Sequence, residues 1–324
     1  MKILAPKTIE LDLTGGVGGA DGADATSGPA DEVVLYDPER PFADADRDAE
    51  VLVVWGNSAE NLADAVDRLG ALRLVQTLAA GPDAVLDAGF DDAVAITSGR
   101  SLHDATVAEH ALALILAAVR RLDDLIDASH RHEWNTAFNR AQADPATAQR
   151  YTLDGGHVTI WGFGSIAGRL APLLRMLGST VTGVATSPGE RDGFTVVTPD
   201  DAGATLADTD VLVSLLPATA ATANTFDAAL FARLKPGAVF VNVGRGPTVD
   251  EDALLAGLAA GTPRVAALDV TKVEPLPEGS GLWDAPGVIL TPHVAGNRPR
   301  GASELVRANL AALRGGGQLV NRVR

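Results

Sequence analysis

The chain of 324 residues contains no cysteine, which excludes disulfides and thiolate metal sites and fits a cytoplasmic protein. Its six histidines show neither H-x-x-x-H nor H-E-x-x-H spacing. His130 and His132, in SHRHEW, read as a solvated loop, so no metal centre is expected. Lysine is scarce, with only four residues, and the formal net charge is −16. Phosphate-rich partners are repelled by such a surface, so neither nucleic acid nor an anionic membrane is expected. An anionic substrate therefore needs a local positive clamp. Acid spread through the loops describes a heavily solvated surface, and salt adaptation is a second reading of it. No apolar run nears the roughly 20 residues of a membrane span. The longest, residues 111–119, reads as a buried helix segment. MKILAPK leads straight into a strand-like run rather than a signal peptide.

What is present is an α/β rhythm. The length and the 46% hydrophobic content predict two domains with two cores. Short apolar runs at 2–5, 32–36, 51–55, 73–77 and 93–97 have strand length, and segments such as 59–69 are helical. The glycine-rich stretch 14–29 lacks the G-K-[ST] ending of a phosphate loop and opens no helix, so it reads as a flexible loop. Residues 105 to about 129 read as one long helix, apolar around much of its circumference up to Val119. Such a helix must be buried widely, in a domain junction or a dimer. His110 on it reads as a packed core histidine.

The chain is organised around residues 155–187. An apolar run, 157–161, ends in Gly162-Phe163-Gly164-Ser165-Ile166-Ala167, a G-x-G-x-x-A pattern, and then Ile166, Leu170, Leu173, Leu174 and Leu177 recur at helical spacing. Gly178 stops the helix, Pro172 within it predicts a bend, and a second strand follows at 181–185. Gly162 makes the tight turn, Gly164 admits a pyrophosphate, and Ala167 lets helix pack on strand. Amides at the helix N-terminus would then face phosphates with the favourable end of the dipole. Further apolar runs at 211–216, 239–243, 265–270 and 288–290 predict a parallel sheet with right-handed crossovers. A helix from about 300 to 314 returns to the first unit, so the cofactor domain is inserted into the other domain.

Ligands of such sheets sit beyond the carboxyl ends of the strands. There the sequence places Pro217-Ala218-Thr219, Gly244-Arg245-Gly246, Asp269 and Thr291-Pro292-His293. Arg245 carries a guanidinium fork suited to a 2-oxo carboxylate. Histidine suits the proton step, and a carboxylate such as Glu274 beside His293 would orient the ring and favour the imidazolium. Spacing alone does not show that the three meet.

These motifs together resemble the D-isomer-specific 2-hydroxyacid dehydrogenases, over nearly the full length. The match rests on VAEHALALIL at 107–116, GFGSIAG at 162–168, VNVGRGPTVDEDAL at 241–254, ALDVTKVEPLP at 267–277 and TPHVAG at 291–296. The resemblance implies two doubly wound parallel-sheet domains: a Rossmann cofactor domain at 104–297 inserted into a flavodoxin-like substrate domain made of 1–103 and 298–324. It implies an NAD(P)-dependent oxidoreductase interconverting a 2-oxoacid and a D-2-hydroxyacid. Arg245 is then the carboxylate clamp, Glu274 and His293 the acid/base pair, and Asp269 the holder of the nicotinamide carboxamide. The turn at Ala80 and Gly81 matches the family's substrate-carboxylate turn. Expected cofactor contacts are Gly162, Gly164, Ser165, Ile166, Thr186, Ser187, Leu216, Pro217, Thr222, Val243, Gly244, Asp269 and Gly296. A homodimer through about 105–150 is implied.

The sequence departs from the family at three places, the first being Ala167 at the third fingerprint position, a tolerated change. Ala185 stands where NAD-preferring relatives carry an acid for the ribose hydroxyls. Without that carboxylate a 2′-phosphate is not repelled, and Thr186, Ser187 and Arg191 can meet it, so NADP is expected over NAD. Asn297 follows T-P-H-V-A-G where many relatives carry Ser or Thr. Two other functions remain on the sequence: 3-phosphoglycerate oxidation, with Arg100 as its extra cation, and a non-catalytic dinucleotide-binding protein like the family's corepressor branch. The residues fixing the substrate side chain, near 54–57, 78–82 and 98–103, do not reveal it.

Overall fold

The computed structural model describes residues 1–13 and 31–324, and the glycine-rich stretch 14–29 lies outside them. The chain divides into two compact units, residues 1–103 with 298–324, and residues 104–297.

In the first unit, β1 (Lys2–Pro6), β2 (Glu32–Tyr36), β3 (Val51–Val54), β4 (Leu74–Thr77) and β5 (Ala95–Thr97) form one sheet in the order β2-β1-β3-β4-β5. All its ladders are parallel, which is the flavodoxin-like winding. Helices α1 (Ala59–Arg68) and α2 (Asp83–Asp87) lie between strands. Ser58 caps α1 by accepting from the Asn61 amide. β3 and β4 are buried at every position, the pattern of strands covered on both faces.

The second unit opens with α3 (Asp104–Val119), α4 (Leu122–His130) and α5 (Thr136–Ala143). The single helix read over 105–129 is thus two, because Arg121 takes a left-handed φ of 51° between them. β6 (His157–Trp161), α6 (Ser165–Met176), β7 (Thr180–Val184), β8 (Gly189–Arg191) and β9 (Phe194–Val197) follow. Helix α6 runs on through Pro172. Then come α7 (Gly203–Asp208), β10 (Val211–Ser214), α8 (Ala228–Phe231), β11 (Val239–Asn242), α9 (Glu251–Ala260), β12 (Val265–Leu268) and β13 (Val288–Leu290). The sheet order is β13-β12-β11-β10-β6-β7-β9-β8, parallel except for the β8–β9 pair. The order reverses between β6 and β10, which is where ligands of such sheets bind. Val107, Ala111, Leu114, Ile115 and Ala118 of α3 pack with Leu170, Ala171 and Leu174 of α6 into the core of this unit. The broad apolar surface of α3 is therefore spent largely on its own sheet.

The last helix, α10 (Ala302–Gly315), rejoins the first unit. Buried Asn309 on it donates to Gln76 Oε1 at 2.6 Å, which also accepts from Thr97 Oγ1 at 2.9 Å. Fully satisfied buried networks of this kind fix one arrangement of the strand ends they join. Among the described residues, no helix is long and apolar enough to cross a membrane.

Candidate active site

The glycine-rich turn follows β6 directly. Gly162 has φ +101°, and a Cβ there would sit 2.8 Å from the Leu215 carbonyl oxygen, so only glycine fits the turn. Gly164 differs: a Cβ there meets nothing within 4 Å. It is the N-cap of α6 and provides no side-chain cap, so no capping side chain takes up the first amides of the helix. A cradle without side chains at a helix N-terminus fits a pyrophosphate. Gly164→Val is therefore expected to leave the thermal unfolding midpoint within a few degrees while weakening dinucleotide binding at least tenfold, measured by equilibrium titration. Unchanged binding would show that the space is not a phosphate cradle.

Beyond the other strands the remaining expected cofactor residues fall close to the switch point. A Cβ on Gly244 would meet Leu216 O at 2.6 Å, so the loop after β11 lies against the loop after β10. Val243 and Gly244 thus stand beside Leu216 and Pro217. Thr222 is used internally, its hydroxyl donating to Pro217 O at 2.6 Å and accepting from the Thr219 amide at 2.9 Å. Thr186 and Ser187 are exposed after β7.

Arg191 reaches them from a hairpin that the sequence analysis did not identify. β8 and β9 pair with Arg191 opposite Phe194, leaving Asp192-Gly193 as a two-residue turn with φ of 52° and 75°. An Asp-Gly pair with both φ positive is the type I′ signature, and that dipeptide was the available signal. Arg191 donates to Phe163 O at 2.6 Å and Ser187 O at 2.9 Å. It joins Gly164, Ser165, Arg169, Asp104 and Asp192 around a cleft of about 470 Å³.

Asp269 follows β12 and is almost wholly buried. Its Oδ1 accepts from Thr291 Oγ1 at 2.6 Å and the Val294 amide at 3.0 Å, and its Oδ2 from the Ala295 amide at 3.1 Å. Its carbonyl accepts from the His293 amide at 2.8 Å. His293 is thereby held at φ 51°, uncommon for a residue with a Cβ. Strain of this sort persists where neighbouring bonds over-determine it, and it clusters at functional sites. Gly296 lies just beyond, on the same loop.

His293 Nδ1 lies 2.7 Å from Glu274 Oε2. The other carboxylate oxygen, Oε1, accepts from the Thr271 amide at 3.0 Å, so the glutamate is fixed at both ends. A carboxylate only accepts, so Nδ1 carries the proton of this pair and Nε2 faces away from it. The ring is 48% exposed and the glutamate 36%, so Nε2 is open to a ligand. Asp269, Glu274 and His293 line one cavity of about 600 Å³ with Pro275, Leu276 and Trp283.

Arg245 lies on an adjoining loop. A Cβ on Gly246 would come within 1.9 Å of Thr271 O, so the backbone after Arg245 abuts the segment that carries Glu274. The Arg245 carbonyl accepts from Asn242 Nδ2 at 3.1 Å and Thr248 Oγ1 at 2.6 Å, and its guanidinium donates to Gly244 O at 2.8 Å. The residues expected around Glu274 thus come from neighbouring loops. Ala80 and Gly81 belong to the first unit. There the Ala79 carbonyl accepts from the Gly99 amide at 2.7 Å, and Gly99 packs so close to Leu78 that no Cβ fits.

The profile of the family described as D-isomer specific 2-hydroxyacid dehydrogenase, NAD binding domain, matches residues 112–295. The chain is 32% identical over 280 residues to glyoxylate/hydroxypyruvate reductase A of Serratia proteamaculans, covering 84% of this chain and 85% of that protein. Among solved structures it resembles the NADPH-dependent glyoxylate/hydroxypyruvate reductase of Sinorhizobium meliloti in complex with NADP and sulfate, with a TM-score of 0.78 at 29% identity, covering 99% of this chain and 97% of that one. It also resembles a D-isomer specific 2-hydroxyacid dehydrogenase from Xanthobacter autotrophicus Py2 in complex with NADPH and MES, with a TM-score of 0.73 at 29% identity, covering 91% and 90%. The chain belongs to the D-isomer-specific 2-hydroxyacid dehydrogenase family and is an NAD(P)-dependent oxidoreductase of that family.

Proposed function

We propose that the protein reduces a small 2-oxoacid to the D-2-hydroxyacid, with NADP as its cofactor. The observation that carries this reading is the His293–Glu274 pair, whose Nδ1 is engaged at 2.7 Å and whose Nε2 is open. A nicotinamide dinucleotide held at the glycine turn would supply a hydride, one proton with two electrons, to the carbonyl carbon. His293 then supplies the proton that the carbonyl oxygen needs, from Nε2, and Glu274 orients the ring through Nδ1. Arg245 anchors the substrate carboxylate with its fork and polarises the adjacent carbonyl. Ala80 and Gly81 are proposed as further substrate contacts. Residues 104–297 act as the cofactor domain, and 1–103 with 298–324 as the substrate domain.

Glyoxylate and hydroxypyruvate are proposed as the first substrates to test, because the S. proteamaculans and S. meliloti relatives carry those names. The test is NADPH and NADH oxidation over a panel of 2-oxoacids that also holds pyruvate and bulkier analogues. No oxidation of either cofactor with any of them would sink the reading. The NADP preference rests on Arg191 and on the absence of an acid at Ala185. Arg191→Ala is expected to lower the ratio of kcat/KM for NADPH over NADH by about 10- to 100-fold, the worth of one or two charge-assisted hydrogen bonds. An unchanged ratio would remove Arg191 from the 2′-phosphate site.

A homodimer through residues 105–150 fits the apolar side chains exposed there, Leu122, Ile126 and Trp134, the last 90% exposed. Sedimentation at the mass of one chain at micromolar concentration would overturn it. A cytoplasmic location belongs to the same reading.

A further inference from the structure

His110 sits within α3 and looks at first like core packing. Its Nε2, however, lies 3.0 Å from Thr291 Oγ1 and 3.2 Å from Asp269 Oδ1. The Thr291 hydroxyl already donates to the same Oδ1 at 2.6 Å. Carboxylate oxygens only accept, and the hydroxyl has its one proton committed. The imidazole nitrogen facing both oxygens must therefore carry a hydrogen. His110 is thus a donor into the Asp269 site from a helix remote in sequence.

The consequence lies in how the two carboxylate oxygens are filled. Oδ1 receives Thr291 Oγ1 and the Val294 amide, and Oδ2 receives the Ala295 amide, while His110 Nε2 donates to Thr291 Oγ1 and lies 3.2 Å from Oδ1. Each carboxylate oxygen offers about two lone-pair directions. Oδ1 is saturated, and the acceptor capacity that remains is on Oδ2. We propose that His110 is a positioning residue for the cofactor: by donating to Thr291 Oγ1 it commits that hydroxyl's proton to Oδ1 and fixes the carboxylate plane, which leaves the remaining acceptor capacity of Oδ2 for the N–H of the nicotinamide carboxamide. This rests on the reading of Asp269 as the carboxamide acceptor. It adds α3 to the site and gives His110 a task that an apolar residue of equal volume cannot perform. The same bonds tie α3 to the loop of His293, whose amide donates to the Asp269 carbonyl at 2.8 Å.

The test uses the full-length protein and equilibrium titration with two cofactors, NADPH and its 3-acetylpyridine analogue, in which a methyl ketone replaces the amide and no N–H remains. His110→Leu is expected to weaken NADPH binding about tenfold, the worth of one well-oriented charge-assisted hydrogen bond. The analogue should bind both proteins within a factor of about two, since the bond that is lost was never made to it. His110→Gln, which can still donate from Nε2, should recover most of the NADPH affinity. Equal weakening toward both cofactors, or no weakening toward either, would overturn the proposal. If His110→Leu does not fold, His110→Asn, polar but too short to reach Thr291 Oγ1, carries the same comparison. Asp269→Asn is titrated in parallel. If it fails to distinguish the two cofactors, the carboxamide reading falls. If it distinguishes them and the His110 variants do not, only the role of His110 falls.

Discussion

Replacing His293 by asparagine is expected to lower kcat for 2-oxoacid reduction by about 10²- to 10⁴-fold, the usual worth of a positioned general acid. Asparagine is the informative variant because residue 293 sits at φ 51°. Asn tolerates that region better than most side chains, so the loop should keep its shape. The amide cannot protonate an alkoxide, whereas the imidazole can, with Nδ1 held by Glu274 Oε2 at 2.7 Å and Nε2 open. Binding of NADPH should change little, because the dinucleotide cradle lies at Gly162 and Gly164. The measurement is a steady-state kcat beside an equilibrium Kd for cofactor. A fall in kcat of less than about fivefold would take His293 out of the proton step.

Arg245→Ala is expected to reduce kcat/KM for the 2-oxoacid by roughly 30-fold to several thousand-fold, the 2–5 kcal/mol typical of removing one member of a desolvated charge pair. Arg245→Lys should recover only part of that, since an ammonium cannot grip both carboxylate oxygens in one plane. The backbone at this position is held independently of the guanidinium, through Asn242 Nδ2 and Thr248 Oγ1. The alanine variant should therefore unfold at nearly the same temperature as the parent. If the lysine variant matched the parent in kcat/KM, Arg245 would not be a bidentate clamp.

Much of the frame was legible as pattern. Uninterrupted apolar runs of four or five residues mark strands buried on both faces, and the strand positions expected from them agree with the structure to within two residues. The G-x-G-x-x-A turn was legible because each small residue answers a steric demand, most sharply at Gly162. The long helix was misread at Arg121, where a left-handed arginine breaks it. No glycine or proline stands there to signal a stop, and periodicity carries across. The β8–β9 hairpin was missed because β8 is only three residues long and polar, although Asp192-Gly193 marked its turn. That omission hid how Arg191 is held against Phe163 and Ser187.

By itself the sequence determined which residue types stand at the carboxyl ends of a parallel sheet, because burial fixes the strands and strands fix where loops begin. It also determined, through its motifs, the family to which the chain belongs. Only the tertiary structure decided which of those groups touch. Glu274 and His293 form a pair because two loops, 19 residues apart in sequence, meet at 2.7 Å. His110 leaves the inventory of core residues because it lies 3.2 Å from a carboxylate 159 positions away. Hydrogen bonds act over about 3 Å, and periodicity along a chain is blind to separations of that kind.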